Sequence, residues 1–221
     1  MRYHKGQDPT DLYHEDFNRG NYAILRGYEP QHEIVVLTVC SWAKPYSQSW
    51  IHTEIRRQLN YAGLLDKVDY VHVSNAGVVP HEFERVYPFT AYDWNNAYME
   101  PAMAKPLRKM IDERFKAFWS SFGTHWNYVV PYFRSNSNTW KVLEKWEPLP
   151  REVDDYPYHR AEWHPVLVDP PTEYYDSRTI SEEHLHGYID PDSVLASWDD
   201  TKRLTNTISE LIGEAKGDEE E

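Results

Sequence analysis

The chain has 221 residues, 40% of them hydrophobic, and 36 acidic against 23 basic side chains give it a net charge of −13. That length supports one sizeable core, and no apolar run approaches the ~20 residues of a membrane-spanning helix. A single cysteine, Cys40, excludes an internal disulfide. The start, Met1-Arg-Tyr-His-Lys-Gly, lacks the apolar stretch of a secretory leader, and a working thiol requires a reducing compartment. The expected location is therefore the cytoplasm.

In chain order, residues 1–32 are polar and aromatic with Gly6, Gly20 and Gly27, and read as an irregular arm laid over the domain. The run Glu33-Ile-Val-Val-Leu-Thr-Val39 has the β-branched density of a buried strand. It delivers Cys40 to a polar loop with Lys44, Pro45 and Tyr46, and Ser49 and His52 then stand at the start of a helix predicted over about 49–62. Val68-Asp-Tyr-Val-His-Val73 alternates like a second strand, and Gly77 and Pro80 turn the chain after it. Met103, Leu107, Met110, Ile111, Phe115 and Phe118 recur with helical period, which predicts a long helix over about 101–121. Asn127–Phe133 reads as a third strand and Asn138–Trp146 as a short helix. This β-α-β-α-β-α order predicts an α/β fold with a mostly parallel sheet covered on both faces.

Residues 147–176 are crowded with proline and interleaved aromatic side chains, the composition of an ordered wrap. A last helix is predicted over about 192–215, with Asp192 or Ser193 as its cap. Residues 1–146 carry 16 acidic and 17 basic side chains, whereas residues 147–221 carry 20 and 6. The acidity thus belongs to a C-terminal extension. Such an excess suits a salt-rich cytosol, although its concentration at one end is equally that of a plain acidic tail. The expected organisation is an N-terminal arm (1–32), a catalytic domain (33–146) and a wrap with an acidic helical extension (147–221).

Open α/β sheets place ligand sites at the carboxyl ends of strands, where Cys40 is expected. A thiol beside a lysine and a histidine has what a cysteine nucleophile needs: positive charge to favour thiolate and an imidazole to move the proton. Glu82 and Glu84, after the second strand, would reach the same sheet edge if the two strands are neighbours, and could orient an amine or bind a purine-like edge. Lys105, Arg108, Lys109 and Lys116 lie broadly along one side of the long helix, with Arg114 nearby. Such a row is either a solvated face or a set of phosphate contacts that position a polynucleotide without reading it. His159, His164, His184 and His186 complete no recognisable ligand spacing, so no metal site is expected. There is no phosphate-binding Gly-Lys-Ser/Thr loop and no Gly-x-Gly-x-x-Gly.

The spacing Cys40-x3-Lys44-Pro45-Tyr46-x2-Ser49-x2-His52 resembles the catalytic signature of archaeosine synthase, with Val39 where that family usually has proline. The stretch Ser74-Asn-Ala-Gly-Val-Val-Pro-His-Glu-Phe-Glu84, then Val86-Tyr-Pro88 and Tyr92-Asp-Trp94, is similar to a second block of the same family. The resemblance covers about residues 33–146. It implies a three-layer sandwich of the uracil-DNA-glycosylase kind and chemistry on the nitrile of 7-cyano-7-deazaguanine in transfer RNA. In that chemistry Cys40 forms a thioimidate, Lys44 activates it, and Tyr46, Ser49 and His52 serve proton transfer. Ser74, Gly77, Glu82, Glu84 and Asp93 are the implied substrate contacts. Lysine or another amine as donor gives an amidine; a hydride donor such as NADPH would give an aminomethyl group. The chain is expected to be a stand-alone core without the transglycosylase-like and RNA-binding domains of full-length archaeal members. Its substrate would then be tRNA, delivered by a partner protein or passed to one for a second step, or DNA, as in viral genome modification. A non-catalytic nucleic-acid-binding module is the alternative of a different class, and retention of the thiol argues against it.

Overall fold

The computed structural model describes residues 1, 3–4, 13–41, 43–92, 101–146, 161–170 and 191–218. Asp93, Trp94, His159, His184, His186, most of the proline-rich segment and the terminal Glu219–Glu221 lie outside the described residues.

Three strands make the centre of the sheet: β1 (Ile34–Val39), β2 (Asp69–Val73) and β4 (Tyr128–Arg134). β1 pairs in parallel with β2 on one side and with β4 on the other. Every β1 side chain is buried, as its unbroken aliphatic run requires of a strand covered on both faces. The short β3 (Val78–Pro80) returns antiparallel along β2, with Val73 opposite Val78 and Val71 opposite Pro80. On the far edge, β5 (Glu162–Trp163) and β6 (Val166–Val168) pair in parallel with successive parts of β4, separated by His164 and Pro165. Pro165 has no N–H to give a ladder, which an outermost strand tolerates. The order is β3-β2-β1-β4-β5, with β6 also on β4. The sheet is therefore mixed through β3 alone among the described strands, and residues 162–168 belong to the same sheet as the central strands.

Helices cover both faces. α2 (Trp50–Tyr61) and α5 (Trp198–Asp218) pack together on one side. α1 (Glu15–Gly27) and α3 (Pro101–Phe122) lie on the other, with the short α4 (Trp140–Leu143) against α3. α1 is a correction to the sequence reading, which has an irregular arm there. It buries Phe17, Gly20 and Ile24, a narrow stripe one turn apart. Gly20 is required by contact: a Cβ there would meet Pro88 Cδ at 2.6 Å. α5 corrects the expected cap. Residues Pro191–Ala196 form a 3₁₀ turn, and the Asp200 N–H bonds Ser197 Oγ at 3.2 Å, so Ser197 starts the helix. Asp192 instead pairs with Arg134 at the end of β4, 2.5 Å from its Nε.

Residues in register point to the same side of a sheet. One face of the core is thus Val35, Leu37, Val39, Val71, Val73 and Phe133. The other, beneath α2, carries Thr38, Tyr70, His72 and Tyr132. The site grows from that polar face.

Candidate functional site

Cys40 follows the last residue of β1, half-buried and packed against the core at the carboxyl end of the strand. The chain then turns: Ser41 Oγ donates to the Ala43 carbonyl at 3.0 Å, and Pro45 leads into a 3₁₀ turn over Tyr46–Gln48. Ser49 is the N-cap of α2, its Oγ accepting the His52 N–H at 3.2 Å. The Lys44 ammonium donates to the Ser41 carbonyl and lies over two rings, 4.9 Å from the centroid of Tyr46 and 4.4 Å from that of Tyr92. Cation–π contacts of this kind hold a charge in place without neutralising it.

The two phenols beneath Lys44 are joined, Tyr46 Oη to Tyr92 Oη at 2.5 Å, and each hydroxyl is 3.3 Å from Ser74 Oγ. Burial, then the charge of a Cys40 thiolate, pushes the Tyr46 phenol up; burial, then Tyr46 and such a thiolate, push Tyr92 up. Both remain proton donors at neutral pH. Cys40, Lys44, Tyr46 and Tyr92 therefore form one electrostatic group. Tyr92 was missed by sequence reasoning, which took Asp93 from the same Tyr-Asp pair.

His52 is placed deeper than its expected role requires. It is fully buried, and Nδ1 is 3.0 Å from the Tyr70 hydroxyl. Burial, then the charge of Lys44, lowers its pKa to about 3, so it is neutral. Its ring stands edge-on to His72, 4.5 Å between centroids, and His72 in turn lies 4.4 Å from the Tyr46 ring. An enclosed neutral imidazole in this stack supports the loop from below. Ser49 places His52 through the helix cap.

The hairpin after β2 rearranges the expected substrate contacts. Ser74 is buried and organises the turn, donating to the Gly77 carbonyl at 3.1 Å and accepting the Ala76 N–H at 3.1 Å. Gly77 is pressed on by α1: a Cβ there would lie 2.2 Å from Asn21 Oδ1, and Asn21 Nδ2 bonds the Ala76 carbonyl at 2.7 Å. Because β3 runs back along β2, Glu82 is carried toward the amino end of β2, whereas Glu84 stays beside the motif loop. Glu82 is exposed, and its charge acts on Tyr28, which it shares with Asp69 at the amino end of β2. Glu84 turns inward and accepts from Ser47, 2.8 Å to the backbone N–H and 2.5 Å to the hydroxyl. Despite burial, the nearby His81 and the two bonds from Ser47 lower its pKa to about 2. It holds the motif loop from the side. Of the two expected glutamates, Glu84 meets the motif loop at Ser47, whereas Glu82 faces solvent.

On α3, Lys105, Arg108, Lys109 and Lys116 are exposed, and Lys109 Nζ is 3.6 Å from Glu113. Arg114 is separate from them: it donates to the Asn75 carbonyl and stacks 5.6 Å from the Phe17 ring. Burial lowers its pKa to about 10. His164 faces Tyr128 and Glu162 at the sheet edge, 3.8 Å from the latter.

A family model described as a domain of unknown function, DUF5591, matches residues 19–113, from α1 to the middle of α3. Over 93 residues the chain is 33% identical to archaeosine synthase subunit alpha of Thermoplasma acidophilum, a stretch that spans 41% of this chain and 18% of that protein. The fold is similar to the crystal structure of AF0587, a protein of unknown function, with a TM-score of 0.50 and 20% identity over 87% of this chain and 48% of that one. The sequence matches support a relationship to an archaeosine-synthase-like family; the structural match speaks for the α/β fold. No described helix is long and apolar enough to cross a membrane.

Proposed function

We propose that this chain is a catalytic module of the archaeosine-synthase kind, acting through Cys40 on the nitrile of 7-cyano-7-deazaguanine in tRNA. The observation that carries the reading is Lys44 lying over the Tyr46–Tyr92 pair, whose phenols respond to Cys40 at the carboxyl end of β1. The matched relative supports tRNA as the substrate class. The Cys40 thiolate adds to the nitrile carbon, forming a C–S bond while the nitrile nitrogen takes a proton, and the product is a thioimidate. The nearby Lys44 cation favours the thiolate and stabilises negative charge building on nitrogen. Tyr46 and Tyr92 are the neutral hydroxyls placed to supply that proton. An amine, such as that of free lysine, then attacks the same carbon and expels the thiolate, leaving an amidine.

The test is intact-mass spectrometry of the protein after incubation with the nitrile base or with tRNA carrying it. A Cys40-dependent adduct equal to the mass of the nitrile compound supports the reading, as does amidine formation when lysine is added. Conversion by Cys40→Ala, or no adduct and no conversion by the wild-type chain with lysine present, would overturn it.

A further inference from the structure

The polar face of the sheet holds a second group of donors beneath the motif loop. His72, in β2, is fully buried, and neither ring nitrogen has a partner in ordinary hydrogen-bond geometry. Almost all buried polar atoms in folded proteins are partnered, so two orphaned nitrogens on one ring need a cause. His81 Nδ1 is another buried atom without a hydrogen bond. Both rings converge on Glu84, whose Oε2 lies 3.8 Å from His72 Nε2 and 3.6 Å from His81 Nδ1. These separations are too long for hydrogen bonds. All three atoms lie within 4.8 Å of one another.

Two imidazoles and a carboxylate are a donor set that binds Zn²⁺ with one position left open. Donors bonded at about 2.0–2.1 Å to a tetrahedral ion stand roughly 3.3 Å apart. The observed gaps to Glu84 exceed that by a few tenths of an ångström. The carboxylate is already oriented by Ser47 on both oxygens, as ligating carboxylates are. Oε2 keeps a lone pair beyond the one that accepts the Ser47 N–H. His4, His14 and Asp16 form another such trio, but their atoms are engaged with one another and with Tyr87: Asp16 Oδ2 accepts from Tyr87 at 2.5 Å, and His14 Nδ1 accepts the Asp16 N–H at 3.2 Å. In that group the facing atoms are hydrogen-bonded, His4 Nε2 to Asp16 Oδ2 at 3.2 Å, whereas those of His72, His81 and Glu84 are not bonded to one another.

We propose that His72, His81 and Glu84 bind one divalent transition-metal ion, Zn²⁺ by donor type, which fastens the β2–β3 hairpin to the loop through Glu84 and Ser47. The ion ties β2 to the turn after β3 and, through the His72–Tyr46 ring contact, steadies the phenol under Lys44. Its presence is independent of the nitrile chemistry and is read without substrate.

The full chain, stripped with a chelator and dialysed against Zn²⁺ or Co²⁺, provides the test. The expected results are one metal per chain by elemental analysis and a visible d–d spectrum of low-coordinate Co²⁺. Melting should also shift upward by roughly 5–10 °C at a hundredfold excess over Kd. His81→Ala, at a partly exposed position, and Glu84→Gln should each weaken binding at least tenfold, and His14→Ala should leave it unchanged. Far-ultraviolet circular dichroism checks that each variant folds, and an unfolded one is replaced by His81→Gln. Failure of the wild-type chain to bind Zn²⁺ or to colour with Co²⁺ would overturn the proposal. So would binding that His14→Ala removes and a folded His81 variant retains.

Discussion

On the side of the sheet under α1 and α3, β1 and β2 present Val35, Leu37, Val39, Val71 and Val73. One residue along, the same strands present Thr38, Tyr70 and His72 to α2, and the chain leaves that face through Cys40. Both faces are buried, so the difference is chemical. The aliphatic face gains from every square ångström removed from water. The polar face must satisfy each hydroxyl and imidazole it encloses, and an unsatisfied one is costly. A protein accepts that cost where the groups hold something in place. Here they lie beneath the loop that carries Lys44 and Tyr46, and Glu84 grips that loop at Ser47. The comparison assigns stability to one face and geometry to the other, and variants on the two faces should separate accordingly.

The largest effect is expected at Cys40. Cys40→Ala should lower amidine formation on the order of 10⁴-fold or more, as loss of a covalent nucleophile does. The melting temperature should hardly move, because the residue is only half-buried. Quantifying product by nucleoside mass spectrometry alongside a thermal melt checks both halves. Loss of the fold together with the activity would erase the contrast between the faces.

Leu37→Ala is the reciprocal experiment. Leu37 is fully buried on the aliphatic face, and the cavity should destabilise the chain by about 2–5 kcal/mol. Activity per folded molecule, normalised by denaturant titration, should be retained. A variant of normal stability but low turnover would mean that the aliphatic face also shapes the site.

Tyr46→Phe sharpens the polar side. It removes the hydroxyl bonded to Tyr92 at 2.5 Å and leaves two buried partners short, which costs about 1–3 kcal/mol. It keeps the ring on which Lys44 lies. Turnover should fall more than stability does, and substrate binding should be little changed. Equal losses in kcat and KM terms would recast Tyr46 as a packing residue.

How far such roles could be read from residues alone differs between the faces. β1, β2 and β4 were legible because Ile34–Val39, Asp69–Val73 and Tyr128–Arg134 are dense in β-branched or aromatic residues. α2 was legible from Ser49, and α3 from its helical period. α1 was not: three buried residues in thirteen leave a polar, glycine-containing segment, and its reason for being a helix is the distant contact of Gly20 and Asn21 with residues 76–89. The three-residue β3 was equally invisible, and with it the return that carries Glu82 back toward the amino end of β2. A glutamate in a loop reads as solvated unless its partner is known, and Ser47 lies 37 positions away from Glu84. His72 looked like one more member of an alternating strand, so its encounter with His81 and Glu84 had no local sign. Cys40, Lys44 and Tyr46 fall within seven residues and could be seen together; Tyr92 comes from 46 residues further on.

The smallest expected effect tests whether the outer surface over the aliphatic face has a task of its own. Lys105, Arg108, Lys109 and Lys116 are exposed on α3, whereas Arg114 of the same helix is turned inward to Asn75 and Phe17. If the exposed group touches tRNA phosphates, the logarithm of affinity should fall linearly with the logarithm of salt, each contact adding about 0.7–0.9 to the slope. Lys105→Glu combined with Lys109→Glu should therefore reduce the slope by roughly 1.5 and weaken binding alike for every sequence. Reaction with the free nitrile base should be untouched, since no phosphate is present. Arg114→Lys is the internal control: it should loosen the tie to Asn75 and lower the melting temperature, yet leave the slope unchanged. Fluorescence anisotropy of labelled tRNA across a salt series measures the first pair, and a thermal melt the control. A slope that stays constant in the double variant would make these lysines a solvated helix face, and the tRNA path would have to run over the loop side of the sheet.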